Sequence, residues 1–215
     1  MISIILPSLR PHLLEACVDS IKEACNKIDF EIIFICDFAP PWKSTDFKYK
    51  WIYAPERKGV VDAINQGIEL ASGEYIFTLS DEALLYPNSL ELIYKIAEAM
   101  REANRPGLLS PCNVPFFDFK YYKKQFAPFP FMHRDLIKKV GGFFDPAYKC
   151  FYADPDLSLR CHAAGIPVLV IEDAMIYHPN DMNCIAHKHN VSAYVEADRE
   201  VFKKKWAHLG EFKDP

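Results

Sequence analysis

No CxxC pair occurs among the seven cysteines, and most of them, such as Cys17, Cys36 and Cys161, sit among apolar neighbours. An odd count without regular spacing argues against a disulfide framework and reads as reduced thiols of a cytosol-like compartment. A basic excess is missing too: 25 Lys and Arg against 29 Asp and Glu give a formal charge of −4. That balance argues against a general nucleic-acid binder. No apolar stretch approaches the roughly 20 residues that span a bilayer. The chain opens on a strand-like run where a secreted protein would carry a charged segment and an apolar signal core. A cytoplasmic protein without a transmembrane segment is the expectation. No GxGxxG follows the first apolar run, which removes the common NAD or FAD fingerprint. A GxxxxGK[ST] loop, an internal repeat, a low-complexity tract and a dividing linker are all absent.

What is present is a core. Half of the 215 residues are hydrophobic, ample for one compact α/β unit and incompatible with a disordered chain. Residues 2–6 read as a first strand ended by Pro7, whose missing N–H closes a central ladder. Leu13, Leu14, Cys17, Val18, Ile21, Cys25 and Ile28 then repeat at helical spacing. Residues 30–36 form a near-continuous apolar run, as expected of a strand covered on both faces, and the run ends on Asp37. After a proline-bearing loop, residues 49–53 read as a third strand. Residues 59–70 read as a helix with Val61, Ile64 and Ile68 on one face. A turn at Ser72-Gly73 launches a fourth strand that stops at the adjacent acids Asp81 and Glu82. Asn88, with Glu91 three residues on, resembles a capping box before a helix carrying Ile93, Ile96, Ala97 and Met100. This order implies an α/β fold with a mostly parallel central sheet flanked by helices.

The second half is less regular. Residues 108–110 read as a strand. Residues 111–130 are rich in aromatics and proline, with Lys120, Lys123 and Lys124 interspersed. They suit either a platform for a sugar or phosphate or an irregular segment packing its rings onto the core. Residues 133–140 read as a helix stopped by Gly141-Gly142, and 154–164 as another stopped by Gly165. Residues 167–171 and 174–177 read as two strands leading to His178. Residues 192–209 read as an amphipathic helix with Tyr194, Val195, Phe202 and Trp206 inward and Lys203, Lys204 and Lys205 outward as a solvated face.

Acids at the carboxyl end of a buried strand point into the crevice where α/β sheets bind ligands. Two neighbouring carboxylates repel each other unless a cation sits between or beside them, and hard oxygen ligands suit Mg²⁺ or Mn²⁺. The bland alternative for Asp81-Glu82 is a solvated turn or a helix cap. His178, Cys184, His187 and His189 invite a zinc reading, but their spacings match no common zinc module.

Six segments, taken in order, carry a resemblance. Pro7-Ser8 ends the first strand, and Glu31-Ile32-Ile33-Phe34-Ile35-Cys36-Asp37 forms the second. Gly59-Val60-Val61-Asp62-Ala63-Ile64-Asn65-Gln66-Gly67-Ile68 opens a helix, and Gly73-Glu74-Tyr75-Ile76 leads to Ser80-Asp81-Glu82. Val140-Gly141-Gly142-Phe143-Phe144-Asp145 and Ala153-Asp154-Pro155-Asp156-Leu157-Ser158-Leu159-Arg160 follow. In order and near-spacing this pattern resembles family 2 glycosyltransferases of the GT-A fold, from Ile2 to about His178. The resemblance implies a single domain over 1–215, with 1–105 binding the nucleotide sugar and 106–215 facing the acceptor. It also implies a metal-dependent, inverting transferase moving sugar from a UDP-sugar, or a dTDP-sugar, to a glycan or other hydroxyl acceptor.

By that resemblance Glu82 is the main ligand of Mn²⁺ (or Mg²⁺), Asp81 is divided between the metal and the donor ribose, and His178 completes the shell. Pro7, Ser8 and Arg10 would lie along the base, and Asp37 would accept from the uracil N3–H. Arg57 or Lys58 would reach a base oxygen or a phosphate. Ser80 and Asp156 join the substrate contacts, and Asp154 takes the place of the general base, with helix capping as its alternative. Three departures stand out: Ser80, Cys36 and Ala153 occupy positions where the family carries acids. They motivate a rival reading as a decayed nucleotide-sugar-binding domain. A nucleotidyltransferase is a further rival, but the Gly-rich, Lys- or Arg-bearing phosphate loop of that class is not present. The chain is also short for the family, which suits one module of a longer protein.

Overall fold

The computed structural model describes residues 1–42, 46–114, 120–179 and 185–210, with the side chains of 185–192 left aside. Among the described residues ten strands form: β1 (Ile2–Ser8), β2 (Phe30–Cys36), β3 (Lys48–Tyr53), β4 (Tyr75–Thr78), β5 (Leu84–Leu85), β6 (Leu108–Val114), β7 (Lys120–Tyr121), β8 (Lys124–Gln125), β9 (Phe131–His133) and β10 (Val168–Tyr177). Six α-helices join them: α1 (Leu14–Cys25), α2 (Val60–Leu70), α3 (Ser89–Glu102), α4 (Arg134–Lys139), α5 (Ala153–Ala163) and α6 (Ile185–Trp206). Eight strands build one sheet in the order β3-β2-β1-β4-β9-β6-β10-β5. The first four run parallel. β9 is antiparallel to both β4 and β6, β10 is parallel to β6, and β5 closes the edge antiparallel to β10. The sheet therefore passes without a break between the two halves of the chain.

Side chains alternate across a strand, and β1 shows what this does. Ile2, Ile4 and Leu6 enter the core under α1 and α3, while Ile5 enters the core under α2, α4, α5 and α6. Residues buried on both faces explain why β1 and β2 read as unbroken apolar runs. α2 lies against the sheet so closely that a Cβ on Gly67 would sit 2.5 Å from Ile5 Cγ2 and 2.9 Å from Ile35 Cδ1. Only glycine fits there. At the start of β2, Glu31 takes hydrogen bonds from Ser3 Oγ (2.6 Å) and the Ser72 N–H (2.6 Å) and an ion pair from Lys50 (3.0 Å). Burial opposes its charge, but these donors outweigh it and hold the carboxyl down to about 2.

Several local expectations need correction. β1 continues through Pro7 to Ser8, because its pairing with β4 ends at Ile5 and the absent N–H costs no ladder bond there. Residues 167–171 and 174–177 are one strand, β10, whose register against β6 jumps between Ile171 and Met175. The capping box does not form. Asn88 adopts the left-handed region (φ 62°), and its side-chain oxygen accepts instead from Asn26 Nδ2 at 3.1 Å. Of residues 111–130, 115–119 lie outside the described residues. The others hold the end of β6 and the β7-β8 hairpin, and Tyr121 packs inward, meeting Phe126 at 5.3 Å and Phe202 at 5.4 Å, which favours the irregular packed segment over the open platform. Lys205 also turns inward, to Asp145 (2.6 Å) and Asp156 (2.8 Å), so the lysine run is not one solvated face.

Candidate active site

The carboxyl ends of β1, β2, β4, β6 and β10 face the amino ends of α2 and α5 across a cavity of about 590 Å³. Open α/β sheets bind ligands at this edge. Pro7 and Ser8 at the end of β1 and Arg10 just after it line the cavity, as do Asp37 after β2 and Arg57 before α2. Ser80, Asp81 and Glu82 follow β4, His178 follows β10, and Asp154 opens α5. The expected residues therefore share one cleft. Asp156 is the exception. It is 0 % exposed, and its oxygens are taken by Arg160 Nε (2.8 Å), Tyr148 Oη (3.2 Å), Trp206 Nε1 (3.0 Å) and Lys205 Nζ (2.8 Å). The expected substrate contact from Asp156 gives way to a buried junction of α5, α6 and the loop before them.

Arg10, expected beside the base, lines the cavity with Pro7, Ser8 and Asp37. It turns to the acids: Nη1 donates to Glu82 Oε2 at 2.5 Å and Nη2 pairs with Asp81 Oδ1. Burial works against its charge, but the two carboxylates outweigh that cost and raise its pKa further. Ser8 Oγ donates to Asp81 Oδ2 at 2.7 Å, and His178 Nε2 meets Glu82 Oε1 at 3.1 Å. The His178 bond, against burial and with help from Arg10, holds the Glu82 carboxyl down to about 2. All four carboxylate oxygens thus have protein partners. The Asp81, Glu82 and His178 donor set fits a hard divalent cation by chemistry, but Arg10 holds both acids in this arrangement. Among the described residues, no three His, Cys, Asp or Glu gather as a ready-made metal shell. The side chains of Cys184, His187 and His189 lie outside the described residues.

Across the cavity Arg57 donates from Nε (3.0 Å) and Nη2 (2.6 Å) to Asp37 Oδ2. Beside Asp37 stands Cys36, where the resemblance led to the expectation of an acid. Burial pushes its thiol up to about 12, so it adds no charge at neutral pH.

Asp154 sits in the first turn of α5, after Tyr152 in the left-handed region (φ 61°). An aromatic residue there is an outlier that costs about 1–3 kcal/mol and persists only where its surroundings impose it. They do. The N–H groups of Lys149, Cys150 and Phe151 all donate to the Asp198 carboxylate of α6, at 2.9, 2.8 and 2.8 Å. The Val61 N–H of α2 donates to Lys149 O at 3.1 Å, and Gly59 (φ 105°) passes so close that a Cβ would stand 2.4 Å from that oxygen. The loop is clamped from both sides, and Asp154 is delivered to the cavity wall. Burial pushes its carboxyl up to about 7, against the weaker pull of the backbone N–H at the helix start. Sequence reasoning missed Asp198. The signal was available: Asp198 falls between Tyr194 and Phe202 on the inward stripe of α6, where an acid needs a reason.

The glycosyl transferase family 2 profile matches residues 3–154. The chain belongs to that family. A search of curated proteins finds no match. Among solved structures, the family 2 chain resembles a mannosyltransferase, PcManGT of Pyrobaculum calidifontis, solved with GDP-Man and Mn²⁺. The TM-score is 0.67 and the identity 16 %, over 99 % of this chain and 65 % of that one. It also resembles TarS of S. aureus, with a TM-score of 0.61 and 12 % identity over 97 % of this chain and 43 % of that one. A 1–349 portion of TarS matches at TM-score 0.60 and 14 % identity, over 95 % and 73 % of the two chains. These likenesses establish the GT-A fold. The family 2 chain spans less than two thirds of the length of the first two structures. Among the described residues no helix is long and apolar enough to cross a membrane.

Proposed function

We propose that the protein transfers a sugar from a UDP-sugar to a hydroxyl acceptor with inversion, using Asp154 as general base. The observation that carries this reading is that a carboxyl with a pKa of about 7 faces the same cavity as the Asp37-Arg57 pair and the Asp81-Glu82 acids. A base is most effective when its pKa lies near the working pH. In the single displacement, the acceptor O–H gives its proton to Asp154 and its oxygen bonds to the anomeric carbon. The bond from that carbon to phosphate oxygen breaks, with its electron pair leaving on the diphosphate. Glu82, Asp81 and His178 would hold a divalent cation, and the chemistry it would supply is neutralisation of that leaving group. The bond count at Asp37 favours uracil. Oδ2 already accepts twice from Arg57, so of the two oxygens only Oδ1 keeps its lone pairs for a base edge. Uracil offers one imide N–H at that edge, whereas guanine offers two adjacent donors that call for both oxygens.

UDP release from a panel of UDP-sugars, with glycan acceptors and with or without Mn²⁺, tests the reading. Acceptor-dependent release is expected. Binding of UDP with no release from any donor and acceptor pair supports the decayed-domain rival. Asp37→Ala is expected to lower UDP affinity about tenfold, the loss of one hydrogen bond to a charged group, and to erase the preference for UDP over GDP. Calorimetric titration of both nucleotides checks this, and an unaltered preference removes the contact. Arg10→Ala is expected to tighten Mn²⁺ binding about tenfold in the absence of nucleotide, because the ion no longer competes with a guanidinium for both carboxylates. Weaker or equal Mn²⁺ affinity would show that Arg10 does not hold the cation's place.

A further inference from the structure

Asn113 near the end of β6 lines the cavity, is 4 % exposed, and its amide oxygen has no hydrogen-bond partner among the described residues. Buried polar atoms are nearly always bonded, so an orphan calls for an explanation. Ser80 Oγ is orphaned in the same way and lines the same cavity. The same cavity is also lined by Phe126, Pro128 and Phe129, with the Phe129 ring against His178 at 5.5 Å. A few placed polar groups among apolar side chains are how ligand sites fix orientation.

Strand order shows which part of a ligand would reach it. Neighbouring strands lie about 4.8 Å apart. β2, which carries Asp37 at its end, is two strand spacings from β4, which leads to Asp81 and Glu82; β6 is two further spacings beyond β4 in the same direction. A donor laid with its base at Asp37 and its diphosphate at the acids would run on, about 10 Å farther, to Asn113. In that pose the transferred sugar would lie there.

We infer that Asn113 is a specificity-determining residue that reads a hydroxyl or an amide substituent of the sugar being transferred. The inference rests on the reading of the cavity as a UDP-sugar site. An amide both donates and accepts, and rotation about its last torsion exchanges the two, so it can answer a sugar hydroxyl in either role. Sites built to bond a substrate's polar group reject analogues lacking it far more strongly than apolar pockets reject extra bulk.

The test measures, by calorimetry, how much more tightly UDP-glucose, UDP-galactose and UDP-N-acetylglucosamine bind than UDP itself. In the wild type at least one sugar is expected to add affinity over UDP. Asn113→Ala and the near-isosteric Asn113→Leu are expected to leave UDP affinity within twofold and to reduce that increment about tenfold. The melting temperature of Asn113→Leu without ligand should equal or exceed the wild type's, because no orphaned polar atom remains. A residue that only holds the fold would give the reverse, a lower melting temperature with the sugar increment intact. An unchanged increment in both variants overturns the assignment. Failure of the wild type to bind UDP or any of the three sugars overturns the cavity reading itself, and this inference with it.

Discussion

Asp154→Asn is expected to slow glycosyl transfer by about 10²- to 10⁴-fold, the usual contribution of a general base, with UDP-sugar binding intact and with a gain in stability. The gain follows from the sign of the shift. An unfolded aspartate ionises near pH 3.9, whereas folding raises Asp154 to about 7. Between these values the native state binds the extra proton, so stability falls as pH rises through that window. Asparagine cannot ionise and escapes the loss. A shift of about three units corresponds to roughly 4 kcal/mol. Exposure of the carboxyl to the cavity reduces this, and a gain of about 2 kcal/mol above pH 7 is a reasonable expectation. For a chain of this size that is roughly 4–8 °C in melting temperature. The gap should close near pH 4. Melting curves at pH 4, 6 and 8, beside a pH profile of kcat/KM rising through about 7 in the wild type, check both halves. Equal turnover would reassign the base. A melting gap independent of pH would mean that Asp154 is no buried, ionising acid.

The sequence revealed the strands and helices wherever the period was clean. β1 and β2, buried on both faces, showed as unbroken apolar runs, and α1 and α2 showed at helical spacing. The acids Asp37, Asp81 and Glu82 were legible because they terminate such runs. What the sequence could not show was partnership between residues far apart in the chain. Arg10 reads as a turn residue until β1 and β4 are side by side, when it faces Asp81 and Glu82, more than 70 positions away. Asp154 and Asp156 lie two residues apart in one motif and looked alike. Helical geometry separates them, since positions two apart face different directions. One faces the cavity and the other is sealed beneath α6. The β10 irregularity and the Asn88 turn were also hidden, because they depend on β6 and on Asn26.

Asp156→Ala is expected to do the opposite of Asp154→Asn and to cost about 3–5 kcal/mol, the range for breaking a buried ion pair from one side. The carboxylate is fully buried and is met by Arg160, Lys205, Tyr148 and Trp206. Its removal would leave the Arg160 guanidinium tied only to the carbonyls of Val140, Gly142 and Phe143 and would strip Lys205 of one of its two anions. The attachment of α6 to α5 would loosen. Asp198 reaches the loop before Asp154 from that same helix, so transfer should fall as a consequence of slackened packing. A drop of roughly 6–20 °C in melting temperature is expected. A shift in Trp206 fluorescence should accompany it as the indole loses its acceptor. Asp156→Asn keeps the shape and one acceptor oxygen but not the charge, and should fall between wild type and alanine. If instead Asp156→Ala melted within 2 °C of the wild type (about 0.5–1 kcal/mol at this size) and lost UDP-sugar binding, Asp156 would be a ligand contact, as its motif first suggests. The two acids of one helical turn would then share a single role, and the division of labour between cavity and core would fail.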